Sequence, residues 1–195
     1  MYDPEIHNRK SMRLRNFDYA GASAYFVTVC TWQRACLFGE VVDGNVRLNE
    51  LGMVVRDEWL RTPQVRPKVV LDEFVVMPNH FHAIFWITDP VGAHRCAPWS
   101  NTAPIPQPGM NDGGRAHVSA PLRRKSNSLG SIIAGFKSAA TKRINALRDA
   151  SGRPVWQRNY YEHVIRGERD LHAIRQYVAD NPAQWEMDTN HPDRI

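Results

Sequence analysis

His80 and His82 are separated by a single residue. In a β-strand, residues i and i+2 project from one face, roughly 6–7 Å apart along the chain. Two imidazoles so placed can converge on one cation; in a helix the same spacing would set them on nearly opposite sides. The neighbours Phe81, Ala83, Ile84, Phe85, Trp86 and Ile87 point to a strand buried on both faces. Histidines entering such a strand need partners, because burying an unsatisfied polar group costs free energy. Two uses meet that need: metal ligation, or plain hydrogen bonding within a core. A structural zinc centre would take four ligands, usually with closely spaced cysteines, and Cys30, Cys36 and Cys96 do not provide them. Two imidazoles with an oxygen ligand and open positions suit a catalytic divalent ion instead. A histidine-triad nucleotide hydrolase would place a third histidine at position 84, which is Ile84.

Tyr177 and Asn181 lie four residues apart, on a segment whose Leu171, Ile174 and Val178 predict a helix. That spacing puts both side chains on one face. Tyr177 flanks the apolar stripe, so its ring can pack while its hydroxyl stays reachable. The Asn181 amide oxygen could serve as a third, hard metal ligand. Pro182 biases the preceding residue away from helix, which leaves the direction of Asn181 open. Both residues also have ordinary uses, a tyrosine at a helix–sheet contact and a helix terminus before proline. Upstream, in an extended stretch, Tyr161 and His163 would share a face with Glu162 opposite. His163 is a candidate accessory group and Tyr161 an alternative nucleophile.

These groups must be positioned by the rest of the chain. Tyr25 to Trp32 is rich in β-branched and aromatic residues and predicts a strand. Asp43-Gly44 between apolar arms signals a tight hairpin. Asn49 can cap a helix with the stripe Leu51, Val54, Val55 and Leu60, ended by Pro63 and Pro67. Residues 69–77 and 80–87 predict two strands broken by Pro78-Asn79. Residues 89–127 are rich in Pro, Gly, Ser and Asn without periodicity, the pattern of a linker or insertion. Ser128 can cap a helix over 129–148, and Val155 to Ile165 reads as extended. Interleaved strands and helices with a hairpin predict an antiparallel α+β sheet.

The chain has 195 residues and a formal charge of +5. That length suits one domain, and the charge favours a polyanionic partner. Arg9, Lys10, Arg13 and Arg15 cluster near the start, and no acidic residue interrupts the basic run from Arg115 to Arg148. Phosphate contacts are expected from Arg13, Arg15, Arg123, Arg124, Lys125, Lys137, Lys142 and Arg143. With three cysteines, no leader-like apolar stretch and no membrane-length run, a soluble cytoplasmic protein is expected.

Four segments taken together resemble the REP-associated tyrosine transposases, HUH single-strand transposases with one catalytic tyrosine. They are Tyr25-Phe26-Val27-Thr28, Met77-Pro78-Asn79-His80-Phe81-His82, the stretch from Trp156 to His163, and the stretch from Tyr177 to Pro182. They occur in the family's order and span roughly residues 13–185. The resemblance implies a ferredoxin-like α+β domain with the histidine pair on a central strand. It implies a transposase domain over 24–185; composition sets a basic arm over 1–23 before it, an interruption at about 89–127 within it and a tail over 186–195 after it. The resemblance matches His80 and His82 to the metal pair, Asn181 to the third ligand and Tyr177 to the nucleophile, with Mg²⁺ or Mn²⁺ as cofactor. The family's substrate is single-stranded DNA carrying imperfect palindromic hairpins. A homodimer is compatible with this, and no membrane partner is expected. Residues 89–127 look longer than the family's usual connection, which puts the hairpin-binding surface there in question. Two other functions fit the same residues: a hairpin-binding module or repressor that does not cut, and an unrelated metal-dependent phosphoesterase using His80 and His82.

Overall fold

The computed structural model describes residues 19, 21–88 and 127–194. Arg13, Arg15, Arg123, Arg124 and Lys125 lie outside the described residues, as do residues 89–126 of the expected insertion. Strand β1 (Ser23–Cys30) is followed by the hairpin β2 (Gly39–Val42) and β3 (Asn45–Leu48). At its turn Asp43 and Gly44 both hold positive φ, 51° and 71°, the conformation that a two-residue hairpin requires. Helix α1 (Glu50–Leu60) begins where the Asn49 side chain accepts hydrogen bonds from the amides of Leu51 and Gly52. It stops before Pro63, as expected. Pro63 then enters a four-residue helix α2 (Thr62–Val65), at a first-turn position where no amide N–H is needed.

Strands β4 (Val69–Val76) and β5 (His80–Ile87) pair across Met77-Pro78-Asn79. A register shift between Leu71 and Phe74 marks a bulge carrying Asp72 and Glu73. Helix α3 (Leu129–Leu147) follows Ser128, which occupies the cap position but makes no side-chain cap bond. The amides of Ser131 and Ile132 bond to its carbonyl instead. The stretch expected to be extended over 155–165 is strand only at β6 (Tyr161–Ile165), with a single bridge from Trp156 to Thr31. Between them the carbonyls of Gln157, Arg158 and Asn159 turn toward the Lys137 ammonium, at 2.5, 3.4 and 3.4 Å, rather than pairing with β1. Helix α4 (Glu168–Asp180) closes the ordered core.

The four long strands form one antiparallel sheet in the order β4–β5–β1–β6. With helices between β1 and β4 and between β5 and β6, this is the ferredoxin-like α+β arrangement, and β5 is an inner strand. Strand alternation divides its residues. Phe81, Ala83 and Phe85 join the core beneath α1 and α3, around the fully buried Trp59. Ile84, with Phe26 and Ile165, packs under Leu171 and Val178 of α4. His80 and His82 are in phase with Ile84 and so belong to the α4 face. Among the described residues no helix is long and apolar enough to cross a membrane.

Helix α4 is fastened to the sheet by Arg175, whose Nε and Nη2 donate to the two Asp72 oxygens at 2.9 and 2.6 Å. Burial alone would raise the Asp72 carboxyl. Arg175, the Glu73 amide and the Trp86 indole outweigh it and hold that carboxyl below its usual range. A depressed carboxylate contributes stability above its unfolded pKa and loses it as pH falls through the folded value. Asp72→Asn is therefore expected to lower the melting temperature near neutral pH, with the gap to wild type closing below about pH 4. A gap that stays constant across that range in thermal melts would contradict this linkage.

Candidate metal centre and tyrosine

His80 is fully buried and His82 is 1% exposed. Their rings meet edge-on, with centroids 4.5 Å apart. Each is oriented from behind. Asn79 donates through Nδ2 to the carbonyls of Arg34 and Asn190, at 3.1 and 2.7 Å. Its Oδ1 therefore faces His80 Nδ1, 2.8 Å away, and accepts that proton. The lone pair of His80 is left on Nε2, which points into the site. His82 Nδ1 meets the Thr28 hydroxyl at 2.8 Å, leaving Nε2 toward Tyr177. Thr28 is opposite His82 in the β1–β5 register, so strand pairing itself provides this support.

Asn181 keeps helical backbone angles, φ −56° and ψ −42°, although Pro182 follows. The direction that the sequence left open is thereby fixed, and Tyr177 and Asn181 do share a face. The Asn181 amide is oriented by Asp188: its Nδ2 donates to Asp188 Oδ2 at 2.8 Å. Its Oδ1 then looks at His80 Nε2 from 3.3 Å, and Asp188 Oδ2 lies 3.8 Å from the same nitrogen. Burial holds the His80 imidazole down at about 4, against the opposing pull of Asp188 and Asn181. Burial, reinforced by His80, pushes His82 well below its ordinary value. Both rings are therefore neutral near pH 7. The His80 ring lone pair thus faces the Asn181 amide oxygen and the Asp188 carboxylate, whose Oδ2 also accepts from Asn181 Nδ2.

Ligand atoms of His80, His82 and Asp188 all lie within 4.8 Å of one another, and this group can hold a metal ion. Asp188 escaped the sequence reading because it is one of three acids, with Glu186 and Asp193, in a stretch read as tail. Trp185, beside it, was the available signal, since an aromatic residue there marks a segment that packs. Its ring lies 5.9 Å from that of His80.

The Tyr177 hydroxyl is 3.4 Å from His82 Nε2. Its ring stands edge-on to Phe26, and the residue is 43% exposed. Burial raises the phenol above its ordinary value, and the Asp188 carboxylate adds to the shift. Tyr161, on β6, faces the same cleft as Tyr177. His163 is one strand position further from the metal group, opposite Phe26. Its Nε2 is engaged by Asp170 Oδ2 at 2.9 Å.

Of the three expected phosphate contacts on α3, Lys142 is exposed. Arg143 reaches the buried Glu58 carboxylate at 2.7 Å, tying α3 to α1, and Lys137 gathers the carbonyls of 157–159. Helix α3 also packs on the sheet face opposite His80 and His82.

This fold is shared with a solved REP-associated tyrosine transposase bound to a REP hairpin, at TM-score 0.53 and 16% identity over 92% of this chain and 77% of that one. A candidate transposase from Deinococcus radiodurans gives TM-score 0.42 and 14% identity over 87% of this chain and 97% of that one. No model of a known protein family matches the sequence. An uncharacterized protein of Haemophilus influenzae is 36% identical over 192 residues, covering 98% of each chain. The chain belongs to the same family as that Haemophilus protein.

Proposed function

We propose that this protein is a metal-dependent nuclease and strand transferase for single-stranded DNA, with Tyr177 as nucleophile. The observation that carries the reading is the Tyr177 hydroxyl beside a buried group, His80, His82 and Asp188, that can hold a cation. His80, His82 and Asn181, with Asp188 beside them, would hold Mg²⁺ or Mn²⁺. When bound, the ion neutralises charge on a phosphate oxygen.

The protein's own part is positional. Helix α4 carries Tyr177 and Asn181 one turn apart, so one rigid element aligns the nucleophile with a ligand. The Asp72–Arg175 pair holds that helix against β4. The Tyr177 oxygen forms a bond to phosphorus and the bond to the 3′-oxygen breaks. The products are a 5′-phosphotyrosine and a 3′-hydroxyl, with the phenolic proton ending on the departing oxygen. The covalent link conserves the ester, so another 3′-hydroxyl can later reseal the strand.

The structural neighbour was solved with a REP hairpin, and we extend hairpin binding to this chain, with a single strand beside the hairpin as the substrate that the sequence resemblance implies. Such a substrate places the protein's work in the cytoplasm. The test is covalent trapping: labelled single-stranded hairpin DNA from palindromes flanking the gene, with Mg²⁺ or Mn²⁺, resolved on a denaturing gel. A chelator-sensitive adduct is expected. Binding without an adduct, across several hairpins and both metals, would favour a module that does not cut. Hairpin affinity is expected to fall about tenfold or more between about 50 and 200 mM salt, through release of counterions. A flat salt response in fluorescence anisotropy would remove the basic residues from the DNA surface.

A further inference from the structure

Beside Tyr177 and His82 a cleft of about 550 Å³ opens between β1, the segment 157–161 and residues 189–190. That volume is typical of a site for one small ligand. Its walls are of two kinds. Phe26 and Tyr161 contribute rings, and Tyr161 is 46% exposed. Gln157, Asn159, Thr189 and Asn190 contribute amides and a hydroxyl, which both donate and accept. Arg34 is the one Lys or Arg among the described residues lining it.

A groove that tracks a phosphate backbone gathers several cations. Neutral donor–acceptor groups beside aromatic rings match the edge and the face of an unstacked nucleobase. The polar walls are tied down through their backbones. The Gln157 amide donates to the Cys30 carbonyl at 2.9 Å, and Lys137 gathers the carbonyls that follow. Across the cleft, the Thr189 carbonyl accepts from Arg34 and the Asn190 carbonyl from Asn79. The side-chain amides of Gln157 and Asn159 are not engaged by any partner among the described residues.

We infer that this cleft is a nucleobase pocket. It holds the base next to the phosphate attacked by Tyr177 and selects it by hydrogen bonds from Gln157 and Asn159. The position of that base relative to the cut rests on the proposed nucleophile; the binding of a base does not.

The test uses wild-type protein, Asn159→Ala and Gln157→Ala, each first shown by melting to be folded. A hairpin library with randomised single-stranded flanks is trapped covalently in Mn²⁺ and the adducts are sequenced. The expected result is a preference of about tenfold for one base at a position adjoining the phosphotyrosine. That preference should shrink to about twofold or less in Asn159→Ala. Cutting without base preference, or a preference unchanged in both variants, overturns the pocket while leaving the nucleophile in place. Where no adduct forms, labelled oligo-dA, oligo-dC and oligo-dT are titrated by anisotropy. Unequal affinities levelled by Asn159→Ala support the pocket independently of cleavage, and equal wild-type affinities or no binding overturn it.

Discussion

Tyr177→Phe is expected to abolish the covalent protein–DNA adduct, lowering its formation by at least about 10⁴-fold, while leaving fold and hairpin affinity in place. The substitution removes one hydroxyl and no carbon. The ring keeps its edge-on contact with Phe26, centroids 6.0 Å apart, and its contact with the His82 ring at 5.2 Å. The one polar contact given up is the long 3.4 Å approach to His82 Nε2, too weak for its loss to unfold the protein. The denaturing-gel assay measures the adduct directly, and thermal melts check the fold. An adduct that survives Tyr177→Phe and vanishes with Tyr161→Phe would move the nucleophile to β6. Tyr161 is the rival because its ring lines the same cleft and meets Phe26 with centroids 6.2 Å apart. Turnover of a small phosphodiester in the Tyr177→Phe protein would instead point to a phosphoesterase.

The second large effect concerns the metal. Saturating Mn²⁺, at about a hundred times its Kd, is expected to stabilise wild-type protein by about 2.7 kcal/mol. The combined His80→Ala and His82→Ala protein should show no such rise and no cleavage, yet retain most of its hairpin affinity. The reason is the chemistry of the ligand set. His80 Nε2, Asn181 Oδ1 and Asp188 Oδ2 lie close together, and the ligand atoms of His80, His82 and Asp188 fall within 4.8 Å of one another, a set that a divalent cation can bridge. Without the imidazoles, two oxygens remain and affinity collapses. Melting curves with and without Mn²⁺ decide the first part, and anisotropy on a hairpin decides the second. Equal stabilisation of wild type and double variant would exclude the pair as ligands. Loss of hairpin binding in a folded double variant would show that the DNA and metal surfaces are one.

Local spacing was enough for the parts of this site that lie on single elements. A two-residue interval within an apolar run placed His80 and His82 on one face of a strand, because strand side chains alternate whatever the fold. A four-residue interval placed Tyr177 and Asn181 on one helix face for the corresponding reason. Asp43-Gly44 specified its hairpin through the positive φ angles that the turn demands.

Groups brought together from distant parts of the chain were not legible in this way. Thr28 supports His82 because β1 pairs with β5 in one register, a choice made by the buried faces of the whole sheet. Asn79 fixes the His80 tautomer only because the carbonyls of Arg34 and Asn190 occupy its amide nitrogen. Asp188 enters the site when the chain beyond Pro182 folds back and sets Trp185 beside His80. The same limit applies to charge. The sequence showed that α3 is basic, but only packing engages Arg143 with Glu58 and Lys137 with backbone carbonyls, on the sheet face away from the metal group. Residue types and intervals thus determined which side chains could share a face. Which faces meet was decided by the tertiary structure, because burial and long-range pairing act on the chain as a whole.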